Sequence, residues 1–461
     1  MPVRPLLLTL LIGLGAAAAD DRAPRTPIPF AQVESILARH PSDAPAELRG
    51  RSRGARETRW SAWMRRHEAD VRARLDRGDL DTVVNLWMYG TTFTRQPRVT
   101  AAEAARLGPT EGEALLLRRL EDLVASLAEP GADERLRLAR DVVERHGARP
   151  STPEGRQRAM VLLATARNDM VAETRRYRAQ LQSTAPNADV RLHAYATLYR
   201  ERGLSSDTSA GVGFAVESAL SALARRGTLR PGSVRRVAVV GPGLDVLDKA
   251  EGHDVSPPQT LQPFTVVDSL VRLGLADLRS LHVTTFDVNG RVNRHLEDAV
   301  SRAKGGTAYV IHLPLDRRAP ARAWNPDLVR WWTRAGEAIG EPDGAVRSPA
   351  DASVDVRAIH VRPLVVTRIA ARELNVVLER LTLSDAERFD LVVTTNVLVY
   401  YSRFEQALAS ANIASMLRPG GLVLTNSPLP FKPFDAAPAF VTPVVFDEQQ
   451  NGDTIFTYAN P

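Results

Sequence analysis

The stretch RVAVVGPGLD, residues 236–245, decides how the rest of the chain is interpreted. Five residues suited to a fully buried parallel strand run directly into a Gly-Pro-Gly turn. In an open α/β sheet, such a turn begins the ligand-binding crevice at the carboxyl end of the first strand. Gly241 and Gly243 can offer backbone N–H groups to a nucleotide-like ligand because they carry no Cβ. A plain tight turn is the alternative, since the stretch lacks the full G-x-G-x-x-G pattern.

The composition is that of an ordinary globular protein. The chain has 461 residues, of which 44% are apolar, and this length suits two domains. The formal net charge is +6, and no basic run is interleaved with aromatic residues, so nucleic acid is not an expected partner. The absence of cysteine excludes disulfides, thiolate metal sites and a cysteine nucleophile.

Residues 1–19 have the three parts of a signal peptide. Arg4 supplies the positive charge, an apolar stretch runs from Leu6 to Leu14, and Ala17, Ala18 and Ala19 form a small-residue cleavage site before Asp20. We therefore expect an exported protein, periplasmic or in the cell envelope, whose mature chain begins near Asp20. The alternative is a cytoplasmic protein with a wrongly assigned start. No other run approaches the ~20 apolar residues of a membrane span.

Residues 20–209 are expected to form an N-terminal all-α domain. Apolar residues recur three and four positions apart, as in Leu116, Leu120, Leu123 and Leu127, while charged residues occupy the other helix faces. A polar run with glycine, residues 205–211, marks the end of this domain.

Residues 210–461 alternate between strand and helix patterns, which predicts a mostly parallel sheet. The strand at 281–286 ends on Asp287, and an acidic residue in that position accepts hydrogen bonds from ribose hydroxyls in nucleotide-binding folds. Residues 248–262 form an extra loop before it, either a lid over the ligand or an ordinary surface insertion. Asn451-Gly452 predicts a C-terminal β-hairpin.

A second pair of motifs lies further along the chain. The strand FDLVV, residues 389–393, leads into a helix, and the turn LRPGGL, residues 417–422, begins the next strand. This order is expected of neighbouring parallel strands.

Together, the glycine turn, Asp287 and these two motifs resemble the class I S-adenosylmethionine-dependent methyltransferases. The resemblance covers about 211–461 and implies a Rossmann-like sheet, S-adenosyl-L-methionine as cofactor and an unknown methyl acceptor, either a small molecule or a protein carboxylate. Residues 285–289, 373–377 and 396–401 are distantly similar to the chemotaxis-receptor glutamate methyltransferases.

The resemblance also implies site residues. The cofactor-binding residues would be Gly241, Pro242, Gly243, Asp245, Asp287 and Asn396. Asn396 would lie beside the transferred methyl group and, with Tyr400, form the candidate catalytic pair; Tyr401 is a further candidate for shaping the acceptor pocket. Glu379, Arg380 and Leu381, after a predicted strand at 375–378, would lie near the adenine. No histidine has the spacing of a metal ligand, so no metal is expected.

Two functions remain open at this stage. The first is a methyltransferase that uses S-adenosylmethionine, in which the sulfonium is already activated and the protein chiefly positions the reactants. The alternative is an exported methyltransferase-like binding module without catalytic activity, because the cofactor is a cytoplasmic metabolite. A nucleotide-dependent oxidoreductase is less favoured, given the Pro-Gly-Gly turn and the terminal hairpin.

Overall fold

The structure is a computed structural model that describes residues 23–183, 203–249, 252–316, 323–348, 353–429, 431, 433–434 and 438–461. The predicted signal peptide lies outside the described residues. No helix within these ranges combines the length and the apolar content needed to cross a membrane.

Helices and strands alternate after a largely helical first third of the chain. Helices α1 to α11 span Phe30–Arg39, Arg53–Tyr89, Ala101–Ala128, Glu134–Arg145, Pro153–Ser183, Ala210–Arg225, Gln262–Arg272, Gly290–Lys304, Pro326–Arg334, Pro363–Val366 and Arg403–Met416. Strands β1 to β13 span Arg25–Pro27, Arg236–Val240, His282–Asp287, Tyr309–Asp316, Gly340–Pro342, Val346–Arg347, Val354–Val361, Ile369–Glu373, Glu379–Leu381, Phe389–Thr394, Leu417–Thr425, Phe440–Val445 and Gly452–Ala459.

A seven-stranded sheet has the strand order β12-β13-β11-β10-β2-β3-β8. Its five strands from β11 to β8 are parallel, so the predicted mostly parallel sheet is confirmed. β13 pairs antiparallel with both β11 and β12. The chain leaves β2 toward β3 on one side and later returns to β10 on the other. This reversal is a topological switch point, where open α/β sheets bind ligands beyond the strand ends.

Both faces of the sheet are buried, as parallel strands require. In β2, Val237 and Val239 point to one core, while Ala238 and Val240 point to the other. None of the four is more than 3% exposed. The first core is completed by α6 to α9 and by strands of a smaller sheet, and the second by α1, α11 and part of α2.

Helix α2 belongs to two cores at once. Its first half contributes Trp60, Trp63 and Val71 to the core on one face of the sheet. Its second half, with Val83 and Val84, joins α3, α4 and α5 in a separate helical core. The helical region and the sheet therefore share buried surface, while the domain boundary at 209 stays a prediction.

The expectation of an all-α N-terminal region needs a correction. Arg25–Pro27 is a strand, β1, which pairs antiparallel with Glu379–Leu381. The pairing gives the backbone N–H and C=O groups of β9 hydrogen-bond partners. The periodicity of the side chains does not reveal this requirement. It also corrects the expectation for the adenine contact, because Glu379, Arg380 and Leu381 pair with β1 and do not line the cavity described below.

Two further strand assignments differ from the sequence-based prediction. Residues 375–378 form a turn, and the strand lies earlier, at Ile369–Glu373. Between α8 and β8, the chain inserts a second, antiparallel sheet of β4, β5, β6 and β7. Its inward residues, such as Ile311, Leu313 and Ile359, fill the core on one face of the main sheet.

We predict that Trp63→Ala will destabilise the protein by about 3–5 kcal/mol, the usual cost of emptying an aromatic core site. The Trp63 ring is 8% exposed, stacks on Trp60 at 4.8 Å and meets Phe404 at 5.5 Å. Urea unfolding monitored by helix content and by tryptophan fluorescence is the measurement.

The control is Leu117→Ala on α3, where the side chain is 50% exposed and the expected change is within about 0.5 kcal/mol. A Trp63→Ala protein as stable as the Leu117→Ala control would show that α2 does not share a core with the sheet.

Candidate functional site

A cleft opens at the switch point, beyond the carboxyl ends of β2, β3 and β10. Its volume is about 840 Å³, including the space open to solvent at its mouth. Of the predicted site residues, Gly241, Gly243, Asp287, Asn396 and Tyr400 line this cleft, as does Tyr401.

The glycine turn forms the floor of the cleft. Gly241 and Gly243 have φ values of 68° and 72°, in the left-handed region that glycine adopts at little cost. The Gly241 N–H donates to the carbonyl of Phe286 at 2.8 Å, which ties the turn to β3. A Cβ on Gly243 would lie 2.4 Å from Thr208 Cγ2 and 2.5 Å from the carbonyl oxygen of Ser206. Glycine is therefore required at residue 243 by the protein's own packing.

The neighbour that crowds Gly243 is residues 203–209, which we call the crossing segment. It runs over the glycine turn and forms one wall of the cleft. The Leu204 N–H donates to the carbonyl of Arg74 at 2.8 Å, and the Leu244 N–H donates to the carbonyl of Ser206 at 2.9 Å. Helix α2 and the turn after β2 therefore hold the segment from both sides.

Asp207 is the buried centre of the crossing segment. Its carboxylate accepts from the Thr82 hydroxyl at 2.8 Å and from the N–H groups of Val246 and Leu247 at 2.9 and 3.3 Å. Burial raises the pKa of Asp207 despite these donors. One side chain thus joins α2, the crossing segment and the turn after β2.

Pro242 and Asp245 were predicted to bind the cofactor, but the structure does not bring either residue to the wall of the cleft. The carboxylate of Asp245 turns toward the crossing segment and accepts from the backbone N–H and the hydroxyl of Thr208, the latter at 2.7 Å. Burial raises the pKa of Asp245 well above its usual value. Asp245 therefore fixes the crossing segment over the turn.

Asp287 ends β3 and faces the cleft. Its carboxylate accepts from the N–H of Asn289 at 2.8 Å. Burial raises the pKa of Asp287 to about 6, an effect larger than the opposing one of the nearby backbone N–H groups. A half-buried carboxylate at the end of the strand next to a glycine turn can accept hydrogen bonds from two vicinal hydroxyls.

Asn396 follows β10 and also lines the cleft. Its φ of 59° lies in the left-handed region, which is uncommon for a residue other than glycine. Asn426, after β11, holds it there: the Asn396 N–H donates to Asn426 Oδ1 at 2.8 Å, and Asn426 Nδ2 donates to Asn396 Oδ1 at 2.7 Å. This paired amide fixes the backbone at the end of the strand. Such locally strained backbone recurs at functional sites.

Two tyrosines, Tyr400 and Tyr401, and Lys249 also line the cleft. Lys249 Nζ donates to the Tyr400 hydroxyl at 3.1 Å. An Arg74 N–H donates to the Tyr400 carbonyl at 2.7 Å and anchors the turn that carries both tyrosines. Burial raises the pKa of Tyr401, which keeps its phenol neutral.

The described part of the 248–262 loop is attached to the helical region. Asp254 accepts four hydrogen bonds from the N–H and hydroxyl groups of Thr91 and Thr92, at 2.7–2.9 Å. Arg135 donates to the carbonyls of Val246 and Ser256. Lys249, Leu261 and Gln262, at the two ends of the loop, line the cleft, so a lid and a surface insertion both stay predictions.

Several residues at the cleft were not identified from the sequence: Asp207, Lys249, Gln262, Asn289, Thr395 and Asn426. The polar run at 205–211 was a visible signal, interpreted only as a domain edge. No cluster of histidine, aspartate or glutamate within the described ranges is arranged to hold a metal ion.

Comparisons with known proteins give distant likenesses. No protein-family model matches the sequence, and no curated protein matches it. Among solved structures, the chain is similar to the N-methyltransferase NodS from Bradyrhizobium japonicum WM9, at 14% identity over 55% of this chain and 98% of that one, with a TM-score of 0.26.

Two further solved structures have similar scores. The S-adenosylmethionine-dependent methyltransferase SibL matches at 13% identity over 86% of this chain and 97% of that one, with a TM-score of 0.26. A possible exported protein from Bordetella parapertussis matches at 12% identity over 74% and 95%, also with a TM-score of 0.26. At these scores, the assignment of function depends on the sheet and the cleft of this chain.

We predict that Gly243→Ala will destabilise the protein more than Gly274→Ala. Both glycines have φ near 70°, so an alanine at either position bears the left-handed strain of about 1–2 kcal/mol. A Cβ at Gly274 meets nothing within 4 Å, whereas one at Gly243 meets the crossing segment. Overpacking adds about 1–3 kcal/mol at Gly243 alone.

Urea unfolding of the two variants measures the difference directly. Equal losses of stability would show that the crossing segment does not lie against the glycine turn.

Proposed function

We propose that this protein is an S-adenosylmethionine-dependent methyltransferase whose cofactor lies in the cleft between the glycine turn and Asp287. The observation that carries the proposal is the convergence, at one switch point, of a positive-φ glycine turn, a half-buried carboxylate at the end of the next strand and a fixed asparagine at the end of β10.

The residues present fit this cofactor chemically. Gly241 and Gly243 offer backbone without side chains on the cleft floor, and Asp287 offers carboxylate oxygens to ribose hydroxyls. When bound, S-adenosylmethionine supplies an activated methyl group, so a proton-transferring side chain is not obligatory.

In this mechanism, the chain orients the reactants and excludes water. Asp287 and the glycine turn fix the cofactor, and the paired amides of Asn396 and Asn426 fix the backbone at the end of β10. The crossing segment, Tyr400 and Tyr401 line the cleft. Correct alignment of donor and acceptor supplies much of the rate enhancement for a bimolecular transfer.

The proposal of export rests on the sequence. The signal-like segment 1–19 would direct export, and a purified mature chain beginning near Asp20 would establish it. The alternative is that the chain is an exported binding module, which binds a ligand in the same cleft without catalysis. Methyl transfer from radiolabelled S-adenosylmethionine to any acceptor would exclude that alternative.

We predict that Asp287→Ala will weaken the binding of S-adenosylhomocysteine, the demethylated product, by about ten- to a hundredfold, because charge-assisted hydrogen bonds contribute roughly 1.5–3 kcal/mol. Isothermal titration calorimetry is the measurement.

Asp390→Ala is the matched control. Asp390 is the second residue of β10, at the end of the strand away from the cleft, where it accepts from the N–H groups of Arg235 and Arg236 and pairs with Arg418. This variant should bind the product like the wild type. No binding by the wild type, or equal affinity in the Asp287→Ala and wild-type proteins, would contradict the proposal.

We further predict that the affinity for S-adenosylhomocysteine will increase with pH. Burial raises the pKa of Asp287 to about 6 without ligand, and ribose hydroxyls donate more strongly to the ionised carboxylate than to the neutral acid. Between pH 5 and pH 7, the ionised fraction rises from about one-tenth to about nine-tenths, so the affinity should rise by up to about tenfold. Asp287→Asn should remove this dependence; a wild-type affinity that is constant over the same range would contradict the role of Asp287.

A further inference from the structure

A chain of hydrogen bonds fixes the orientation of the Asn396 side-chain amide. It begins at the backbone N–H of Asn396, which can only donate and which donates to Asn426 Oδ1 at 2.8 Å. The other branch of the Asn426 amide is therefore Nδ2, which donates to Asn396 Oδ1 at 2.7 Å. Because Oδ1 is used in this contact, the remaining branch of the Asn396 amide is Nδ2, a donor.

Asp453, on the C-terminal hairpin, completes this chain of hydrogen bonds. Its Oδ2 accepts from Asn426 Nδ2 at 3.2 Å, and its Oδ1 accepts from the N–H of Thr454 at 2.8 Å. The Asn426 amide thus accepts once and donates to two different oxygens. If it were turned over, its Nδ2 would face the backbone N–H of Asn396, and its oxygen would face the oxygen of Asp453. Only one orientation of the two amides therefore satisfies every partner.

The acceptor side of the Asn396 amide is turned toward the protein. Asn396 lines the cleft, whereas Asn426 and Asp453 are not among its described lining residues. Within the described ranges, no group accepts from Asn396 Nδ2, and this atom is not one of the buried polar atoms that lack a partner. The Nδ2 donor is therefore accessible to a ligand.

The strand order separates Asn396 from the proposed ribose contact. Asp287 ends β3 and Asn396 follows β10, and β2 with its glycine turn lies between these two strands. Neighbouring strands are about 4.8 Å apart, so the two strand ends are about 10 Å apart. A cofactor with its ribose at Asp287 and its sulfur above the glycine turn would therefore present its methyl group on the side of Asn396.

We propose that Asn396 Nδ2 donates to the nucleophilic atom of the methyl acceptor, and that this atom is the oxygen of a hydroxyl or carboxylate group rather than an amine nitrogen. Asn426 and Asp453 are positioning residues, because they act on the acceptor only through the orientation of the Asn396 amide. The inference rests on the proposed function and adds the substrate class.

An oxygen can accept from Asn396 and still react. It keeps a second lone pair, which forms the bond to the methyl carbon while the C–S bond breaks and its electron pair goes to sulfur. A carboxylate has no proton to lose, and a hydroxyl group releases its proton to water. An amine nitrogen has a single lone pair, so a hydrogen bond from Asn396 would block its attack.

The test reverses the amide in the double variant Asn426→Asp, Asp453→Asn, which leaves the net charge unchanged. The new carboxylate at residue 426 only accepts, so it takes the Asn396 N–H and Nδ2, while the new amide at residue 453 donates to it. The Asn396 amide then turns its Oδ1 to the cleft. The probe is sinefungin, an analogue of S-adenosylmethionine that carries an ammonium group in the place of the transferred methyl group.

We expect the double variant to shift the ratio of the two affinities, for sinefungin and for S-adenosylhomocysteine, toward sinefungin by about tenfold. An ammonium donates to an amide oxygen but is repelled by an amide N–H. Isothermal titration calorimetry on the full-length proteins measures both affinities. A merely structural effect of the substitutions would lower both affinities together and leave the ratio unchanged.

Asn396→Gly is the matched control, because glycine keeps the φ of 59° without strain and removes the amide. In this background, the double substitution should leave the ratio unchanged. Asn396→Gly alone also keeps the inference testable if the double variant does not fold. Loss of a donor that faces the probe should shift the ratio toward sinefungin, whereas loss of an acceptor would shift it the other way.

The outcomes separate the two proposals. An unchanged ratio in the folded double variant, or the same shift without the Asn396 side chain, overturns the inference while cofactor binding stands. A ratio in Asn396→Gly that is unchanged or shifted away from sinefungin overturns it as well. Failure of the wild type to bind S-adenosylhomocysteine overturns the proposed function instead.

Discussion

The buried carboxylate of Asp207 is the interaction on which the cleft depends. It joins the Thr82 hydroxyl on α2 to the N–H groups of Val246 and Leu247 beyond the glycine turn. Burying a carboxylate is unfavourable unless donors surround it, and here three donors from two separate parts of the chain do so. Without this contact, the crossing segment would have only its backbone hydrogen bonds and Asp245 to keep it over the turn.

This arrangement explains why a largely helical region and a parallel sheet share one site. The sheet supplies the glycine turn, Asp287 and Asn396 at the carboxyl ends of its parallel strands. The crossing segment, which follows the helical region, supplies one wall of the cleft. The wall is held by buried polar contacts, while the side chains of Trp60 and Trp63 lie in the core on one face of the sheet. Both kinds of contact place the crossing segment at the switch point, where the strand order already favours a ligand.

The sequence predicted the parts of the site that have a local pattern. β2 was identifiable because a continuous β-branched and apolar run meets a glycine turn, and Asp287 was identifiable because it ends the neighbouring strand. Lys249 and Asp207 were missed because their contacts join residues 151 and 39 positions apart, a separation that leaves no periodic signal. Asp245 was assigned to the ligand because it follows the glycines, yet the crossing segment captures its carboxylate. β1 was missed because three residues are too few for a strand pattern.

The central claim is that the cleft beside Gly243 and Asp287 holds the cofactor, and a crystal structure of the protein with S-adenosylhomocysteine tests it most directly. We expect the ribose hydroxyls within hydrogen-bonding distance of the Asp287 carboxylate, about 2.5–3.0 Å between oxygens, and the thioether sulfur above the glycine turn. A ligand bound elsewhere, or one in this cleft with no contact to Asp287, would contradict the account.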